Sequence, residues 1–389
     1  MSDRVKTVKA FTLTIPRDTP YLGASRPGEE PNSRGYLVRQ SNKTVYPIFD
    51  RSILVRIETA NGVVGWGETY GIIAPGAVLA LIEDLVADFT IGRDPLDPAV
   101  IHDDLYDLMR VRGYTGGFYL DALAAIDIAL WDIAGRIAGL PIAKMLGGQR
   151  QQTLPAYVSG LPEKTRAERA DLALRWQDKG FDSFKFASPV ADDGVAAEME
   201  SLRDRLGANT RIACDMHWNH TAHEAIALIG AMEPHGLWFA EAPVRTEDLA
   251  GLARVASTVK TAIAVGEEWR TVHDMQLRLE RADISIVQPE MGHKGITEFM
   301  RIGQLAHVHH LEVIPHATIG AGIFLAASLQ ASFALPNVTA HEFQHSIFEP
   351  NRRLLKGDMD CREGAYRLPS GPGLGVEPSQ EAISLLKHH

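Results

Sequence analysis

Three apolar runs in one stretch, RIACD (211–215), LWFAE (237–241) and AIAVGE (262–267), each end in a carboxylate: Asp215, Glu241 and Glu267. Each run reads as a buried strand. Asp215 and Glu241 are 26 residues apart, as are Glu241 and Glu267, an interval that suits one strand plus one helix per unit and gathers the strand ends on one rim. Acids sharing a rim repel one another unless a cation sits between them, so the spacing predicts a hard divalent metal, magnesium, on these three residues. Glu267 and Glu268 face opposite ways on a strand, so only one can be the ligand; the spacing leans to Glu267.

Working outward, five more short β-rich runs flank these three: residues 154–159, 181–187, 284–290, 311–316 and 338–342. Between them lie stretches such as RAERADLALRWQDKG with apolar residues at helical spacing. Eight β/α units over this length are the arithmetic of a (β/α)8 barrel. Upstream, residues 5–15 and 53–67 have strand character, with Asn61-Gly62 as a hairpin signal, and helices are expected near 75–90 and 98–110. The segment 17–50 reads as a long loop, functional or disordered. Residues 120–146 are apolar all round but interrupted by Asp121, Asp127, Asp132, Arg136 and Pro141, which favours buried helices over a membrane span. The expected fold class is therefore α/β: an α+β capping domain over 1–135, a modified (β/α)8 (TIM) barrel over 136–345, and a C-terminal segment, 346–389, packing back on the capping domain.

Of 389 residues, 45% are hydrophobic and 23% charged, which sets aside disorder, collagen and coiled coil. A net charge of −10 and the lack of a basic stripe argue against a nucleic-acid partner. Two cysteines cannot build a disulfide framework, and MSDRVKTVKAF lacks the apolar core of a signal peptide, so a reducing cytoplasm is the expected compartment. Cys214 precedes Asp215 on the strand and faces the other way, toward covering helices.

The periodicity continues beyond the three acids through Glu290, His316 and Glu342, giving a ring of polar residues on the C-terminal face where barrel enzymes keep their sites. On a strand His217 would share a face with Asp215 and so project near the metal, whereas His220 lies past the strand end. Acids, the lysine Lys185 and histidines in this arrangement suggest proton abstraction beside a carboxylate, with a metal neutralising the enediolate. His316 held by Glu290 would make a base suited to neutral pH.

The motifs FKFAS, CDMHWN, FAEAPV, VGEEW, IVQPEMGHKGITE, VIPHATIGAG and IDIALWDIAGRIAGLPIAKMLGG, with the tail SGPGLGVEP, resemble the mandelate-racemase-like branch of the enolase superfamily over nearly the whole chain. Within it the chain looks most like acid-sugar dehydratases of the galactonate dehydratase type. The resemblance implies Mg2+ on Asp215, Glu241 and Glu267, selecting Glu267 over Glu268. It also implies His316 as general base, Glu290 orienting it, and His217 as general acid on the leaving hydroxyl. Glu342 would hydrogen-bond the enediolate, which requires it to be protonated or bridged by a donor. Two departures stand out. The family racemases carry Lys-x-Lys where this chain has Lys185-Phe186-Ala187, so a base on the second face is missing and racemisation is disfavoured; Lys185 would instead hold the substrate carboxylate. Glu290 stands where relatives usually have Asp.

The expected function is Mg2+-dependent dehydration of a sugar acid to a 2-keto-3-deoxy acid, by a cytoplasmic homo-oligomer acting on a small molecule. A lactone cycloisomerase or epimerase on the same site is the alternative, and a non-catalytic ligand-binding barrel is the alternative of another class. Tyr21, Arg26, Tyr36 and Arg39, in the 17–50 segment, are the expected substrate contacts over the barrel mouth.

Overall fold

The computed structural model describes residues 3–17, 22–317 and 320–387. The N-terminal part is built on an antiparallel sheet of β1 (Val5–Pro16), β4 (Phe49–Thr59) and β5 (Val64–Tyr70), with a short hairpin, β2 (Tyr36–Val38) and β3 (Val45–Pro47), between β1 and β4. Asn61-Gly62 makes the β4–β5 turn, with Gly62 at φ 83°, the left-handed conformation that glycine adopts without penalty. The segment expected to be a plain loop thus contains a hairpin, its register set by Tyr36 opposite Pro47.

Helices α1 (Pro75–Leu81), α2 (Ala87–Thr90), α3 (Pro98–Arg110) and α4 (Gly117–Ala138) cover this sheet, followed by α5 (Ile142–Met145). Helix α4 is apolar on all sides because it is packed on all sides. One face meets β5 so closely that a Cβ on Gly67 would fall 1.8 Å from the Ala125 carbonyl. No helix among the described residues is long and apolar enough to cross a membrane. Helix α4 also runs through the boundary expected at residue 135 and stops at Gly139, φ 67°, where a left-handed C-cap ends a helix readily.

From β6 (Leu154–Ser159) the chain alternates: α6 (Arg166–Gln177), β7 (Ser183–Ala187), α7 (Val195–Leu206), β8 (Arg211–Asp215), α8 (Ala222–Met232), β9 (Leu237–Glu241), α9 (Leu249–Thr258), β10 (Ala262–Val265), α10 (Val272–Leu279), β11 (Ile286–Val287), α11 (Met291–Val308), β12 (Glu312–Val313), α12 (Ile323–Ala334) and β13 (His341–Phe343). Strands β6 to β12 pair in sequence order, all parallel, and β13 pairs with β6. Val313 N donates to Asn337 O (2.9 Å) and Thr339 N to Val313 O (3.3 Å).

Side chains alternate across these strands. Tyr157, Ala213, Phe239, Ala264, Ile286, Ile314 and Ala340 fill the inner face, while Cys214, fully buried, packs outward in the large core shared with the helices. Capping boxes at Thr165, Thr221 and Thr271 start α6, α8 and α10, satisfying the orphan N–H groups opposite the strand ends.

The C-terminal segment divides its contacts. Strands β14 (Cys361–Arg362) and β15 (Ala365–Tyr366) extend the large sheet at β6, while Lys387 exchanges backbone hydrogen bonds with Thr12 of β1. Buried Asp132 of α4 accepts from the N–H of Trp66 (3.0 Å), the N–H of Leu374 (2.9 Å) and Arg136 Nε (2.9 Å), so one carboxylate joins β5, α4 and the tail.

Candidate active site

The parallel register sets Asp215 beside Glu241 and Ala187 beside Asp215, so the carboxylates reach the same rim because their strands start in phase. They open on a cavity of about 450 Å3 lined by Lys185, Asp215, His217, Glu267, His293, His316 and Glu342 on the side of the parallel sheet and by Arg17, Tyr46, Asp50 and Tyr70 on the cap side.

Lys185 Nζ donates to Glu241 Oε2 (2.7 Å) and stands 3.1 Å from Glu342 Oε1. Burial opposes its charge, but Glu241 and Glu342 overcome that and hold it protonated, its pKa well above the ordinary lysine value. Gln288 Nε2 donates to the same Glu241 oxygen (2.7 Å), yet Glu241 Oε1 is buried with no hydrogen-bond partner among the described residues. An orphaned carboxylate oxygen beside two further acids fits a hard divalent cation, and the all-oxygen donor set of Asp215, Glu241 and Glu267 suits Mg2+.

Side chains of Glu241, Glu267 and His316 already converge, with ligand atoms within 4.8 Å of one another. Asp215 is turned instead to His217, whose Nε2 lies 2.8 Å from Asp215 Oδ2 and whose backbone N–H donates to Oδ1 (2.9 Å). Burial would raise the pKa of Asp215, but His217 and Lys185 bring it down to about 2. The proximity of His217 to Asp215 does not come from strand alternation. The strand ends at Asp215, and a left-handed turn at His217 (φ 54°) and Trp218 (φ 51°) brings the imidazole back. Such conformations are costly for non-glycine residues and cluster at functional sites.

Across the cavity, Glu290 and His316 form an isolated parallel bridge. His316 Nδ1 lies 2.8 Å from Glu290 Oε2, so the longer Glu side chain does reach the imidazole. This leaves Nε2 directed at Glu267 Oε2 (3.2 Å), with Glu342 Oε2 at 3.7 Å. Burial disfavours the imidazolium, but Glu267, Glu342 and Glu290 together lift the His316 pKa to about 10. Glu342 accepts from the N–H of Ala317 (2.8 Å), and although burial pushes its pKa up, Lys185 and His316 hold it below the ordinary carboxylate value. Glu342 is therefore ionised, and the donor beside it is Lys185. Glu267 has the opposite fate: burial and the neighbouring Glu241 and Asp215 outweigh His316 and raise it well above the ordinary value.

Geometry of this kind, three acids at successive strand ends facing a carboxylate-held histidine, is matched by kinship. Residues 168–382 match the family described as Enolase C-terminal domain-like, and residues 41–147 match the Mandelate racemase / muconate lactonizing enzyme, N-terminal domain. The chain belongs to the enolase superfamily.

Among relatives of this enolase-superfamily chain, a D-galactarolactone cycloisomerase from Agrobacterium fabrum is 31% identical over 86% of this chain and 92% of its own. A D-galactonate dehydratase from Ralstonia pickettii is 32% identical over 87% and 92%. An isomerase candidate of known structure from Sinorhizobium meliloti is 76% identical, with a TM-score of 0.98 over 99% of this chain and 100% of its own.

The expected cap contacts fare differently from the rim. Tyr21 lies outside the described residues. Arg39 is buried and points into its own loop, pairing with Glu29 (2.7 Å) and donating to the carbonyls of Gly23 (2.5 Å) and Ala24 (3.1 Å). Tyr36 OH accepts from the N–H of Ala74 (3.0 Å), away from the cavity. Arg26 bridges outward to Asp192 (2.6 Å) and the Pro189 carbonyl (3.2 Å). None of these three lines the cavity. The residues that do, Tyr46, Asp50, Tyr70 and His293, carried no periodicity of their own. His293 stands inside the motif PEMGHKG, and its helix-start position was the one available signal.

Proposed function

We propose that this chain is a Mg2+-dependent dehydratase of a sugar acid, working on a modified (β/α)8 barrel whose closure is supported by the Val313–Val338 bridge. The observation that carries the reading is the one-sided base: His316 Nδ1 on Glu290 (2.8 Å) with Nε2 facing the acid rim, while Ala187 stands where a second lysine would serve the other face. Asp215, Glu241 and Glu267 would hold the metal. When bound, Mg2+ supplies the charge that stabilises the enediolate and offsets the carboxylate field that now raises the His316 pKa.

His316 Nε2, once neutral, removes the C2 proton of the substrate. Lys185 holds an oxygen of the resulting enediolate by a charge-assisted hydrogen bond, with Glu342 fixing the ammonium. His217 gives its proton to the C3 hydroxyl, which leaves as water as the C2–C3 double bond forms. The enol tautomerises to the 2-keto-3-deoxy acid.

The test is a panel of acid sugars with Mg2+, scored for a product lighter by one water. His316→Asn should cut formation of that product by about 10^2- to 10^4-fold, and unchanged turnover would sink the assignment. His217→Asn should keep α-proton exchange with solvent while dehydration falls; equal loss of both would remove its acid role. The relative named D-galactarolactone cycloisomerase favours a second reading, lactone cycloisomerisation on the same enolising site, recognised by turnover without change of mass.

A further inference from the structure

A second acid–histidine pair lies in the wall of the same cavity. Helix α11 is broken at Gly295, φ 71°, which sets its first turn apart from the rest and leaves His293 on the rim. His293 Nδ1 lies 2.7 Å from Asp121 Oδ1, and the same oxygen accepts from Arg270 Nε (3.0 Å). Arg270 is held in turn by the Glu268 carbonyl (2.6 Å). The imidazole stacks on Tyr70 at 4.1 Å and 12°, and Tyr70 stacks on Phe324. The ring is therefore fixed in position and in tautomer: a carboxylate accepts, so Nδ1 carries the proton and Nε2 presents a lone pair. Asp121 and Arg270 cancel in charge, and burial together with Arg270 outweighs Asp121 to push the His293 pKa down to about 4.

Three lysine or arginine side chains share the cavity wall with the carboxylate-held His316, and each already has a carboxylate. Lys185 has Glu241 and Glu342, Arg17 has Asp50 (2.8 Å), and Arg353 has Glu381 (2.7 Å). A second carboxylate at the far end of a substrate would meet no unshared cation among the described residues, but would meet Asp50 and a neutral acceptor. A hydroxyl, by contrast, can donate to an imidazole lone pair.

Resting on the reading that the substrate is a sugar acid, we propose that His293 is a specificity-determining residue whose Nε2 accepts a hydrogen bond from a hydroxyl beyond C3, so that the site takes polyhydroxy mono-acids in preference to di-acids. Asp121 acts as its positioning residue, fixing the tautomer.

The experiment uses the full chain with Mg2+ and measures calorimetric binding and C2 proton–deuterium exchange for hexonic acids, their monodeoxy analogues beyond C3, and the matching hexaric acids. Wild type should favour one hydroxylated mono-acid over its deoxy analogue by about tenfold, the size of one neutral hydrogen bond. His293→Leu should erase that preference, so that the hydroxylated mono-acid and its deoxy analogue bind and exchange alike, and His293→Gln, which keeps an acceptor, should restore part of it. The proposal is overturned by tighter binding of the hexaric acid, by deoxy discrimination that survives His293→Leu, by equal loss of exchange for every substrate in that variant, or by no binding of any mono-acid. The substrate comparison is made on wild type, so a variant that misfolds leaves it decisive. Exchange without loss of water would instead fail the dehydratase reading and leave this one standing.

Discussion

Glu290–His316 and Asp121–His293 are the same pair of groups at nearly the same distance, 2.8 and 2.7 Å between Nδ1 and a carboxylate oxygen, yet one imidazole is charged and the other neutral. His316 is pushed up to about 10 and His293 down to about 4. Burial acts downward on both. The difference is the second neighbour: Glu267 and Glu342 face His316, whereas Arg270 faces His293. A carboxylate on Nδ1 fixes which nitrogen is presented, and the surrounding field decides whether that nitrogen carries a proton. One fold can thus place a charged and a neutral imidazole in one cavity.

The largest effect expected from this contrast is catalytic. His316→Asn should cost about 10^2- to 10^4-fold in turnover, the range for a positioned general base, while His293→Leu costs only the roughly tenfold specificity given above. Losses of equal size, measured as kcat/KM on one substrate, would break the distinction between the pairs.

Glu290→Gln should come next, lowering kcat by about ten- to hundredfold, since one to two pKa units of support for the imidazolium are removed. The acid limb of the pH–rate profile, which reports deprotonation of the base, should move to lower pH with it. An unmoved profile would reduce Glu290 to a structural role.

Stability against pH gives a third, smaller effect. His293, His341 and His345 are each pushed down to about 4 by burial as the leading cause. Their neutral forms are favoured in the folded chain, so their contribution is fully present above about 6.5 and is lost as pH falls from there toward 4, on the order of 1–3 kcal/mol apiece. His316 works in the other direction, its contribution present below about 6.5 and lost as pH rises through 10. Urea midpoints between pH 7 and 4 should therefore fall more for wild type than for His345→Gln, which keeps a polar contact near the Gly160 carbonyl. Parallel slopes would contradict the burial account.

The smallest effect is the most direct. Arg270→Met removes the one cation credited with lowering His293, and the imidazole pKa read by NMR should rise by about one unit. No rise would mean that burial alone holds it down.

Much of the rim was legible beforehand. Asp215, Glu241, Glu267, Glu290, His316 and Glu342 stand at a strand-plus-helix interval, and that interval survives in the chain because each strand is a local apolar run ending where the rim begins. His217 reaches Asp215 through a left-handed turn and not through strand alternation. The cap was barely legible. Arg39 and Tyr36 have the residue types of a binding loop, but the hairpin turns Arg39 inward on Glu29 and Tyr36 toward Ala74, and nothing in their spacing distinguishes a loop staple from a ligand contact.

The order and phase of the elements, the acids at the strand ends, the missing second lysine and, through the motifs, membership of the enolase superfamily are all written in the amino-acid order. These are properties of neighbours along the chain, where burial pattern and backbone preference act over a few residues. What only the tertiary structure decided is which side chain faces which. His293 meets Asp121 across 172 residues, and the charge each histidine carries follows from fields that act through space.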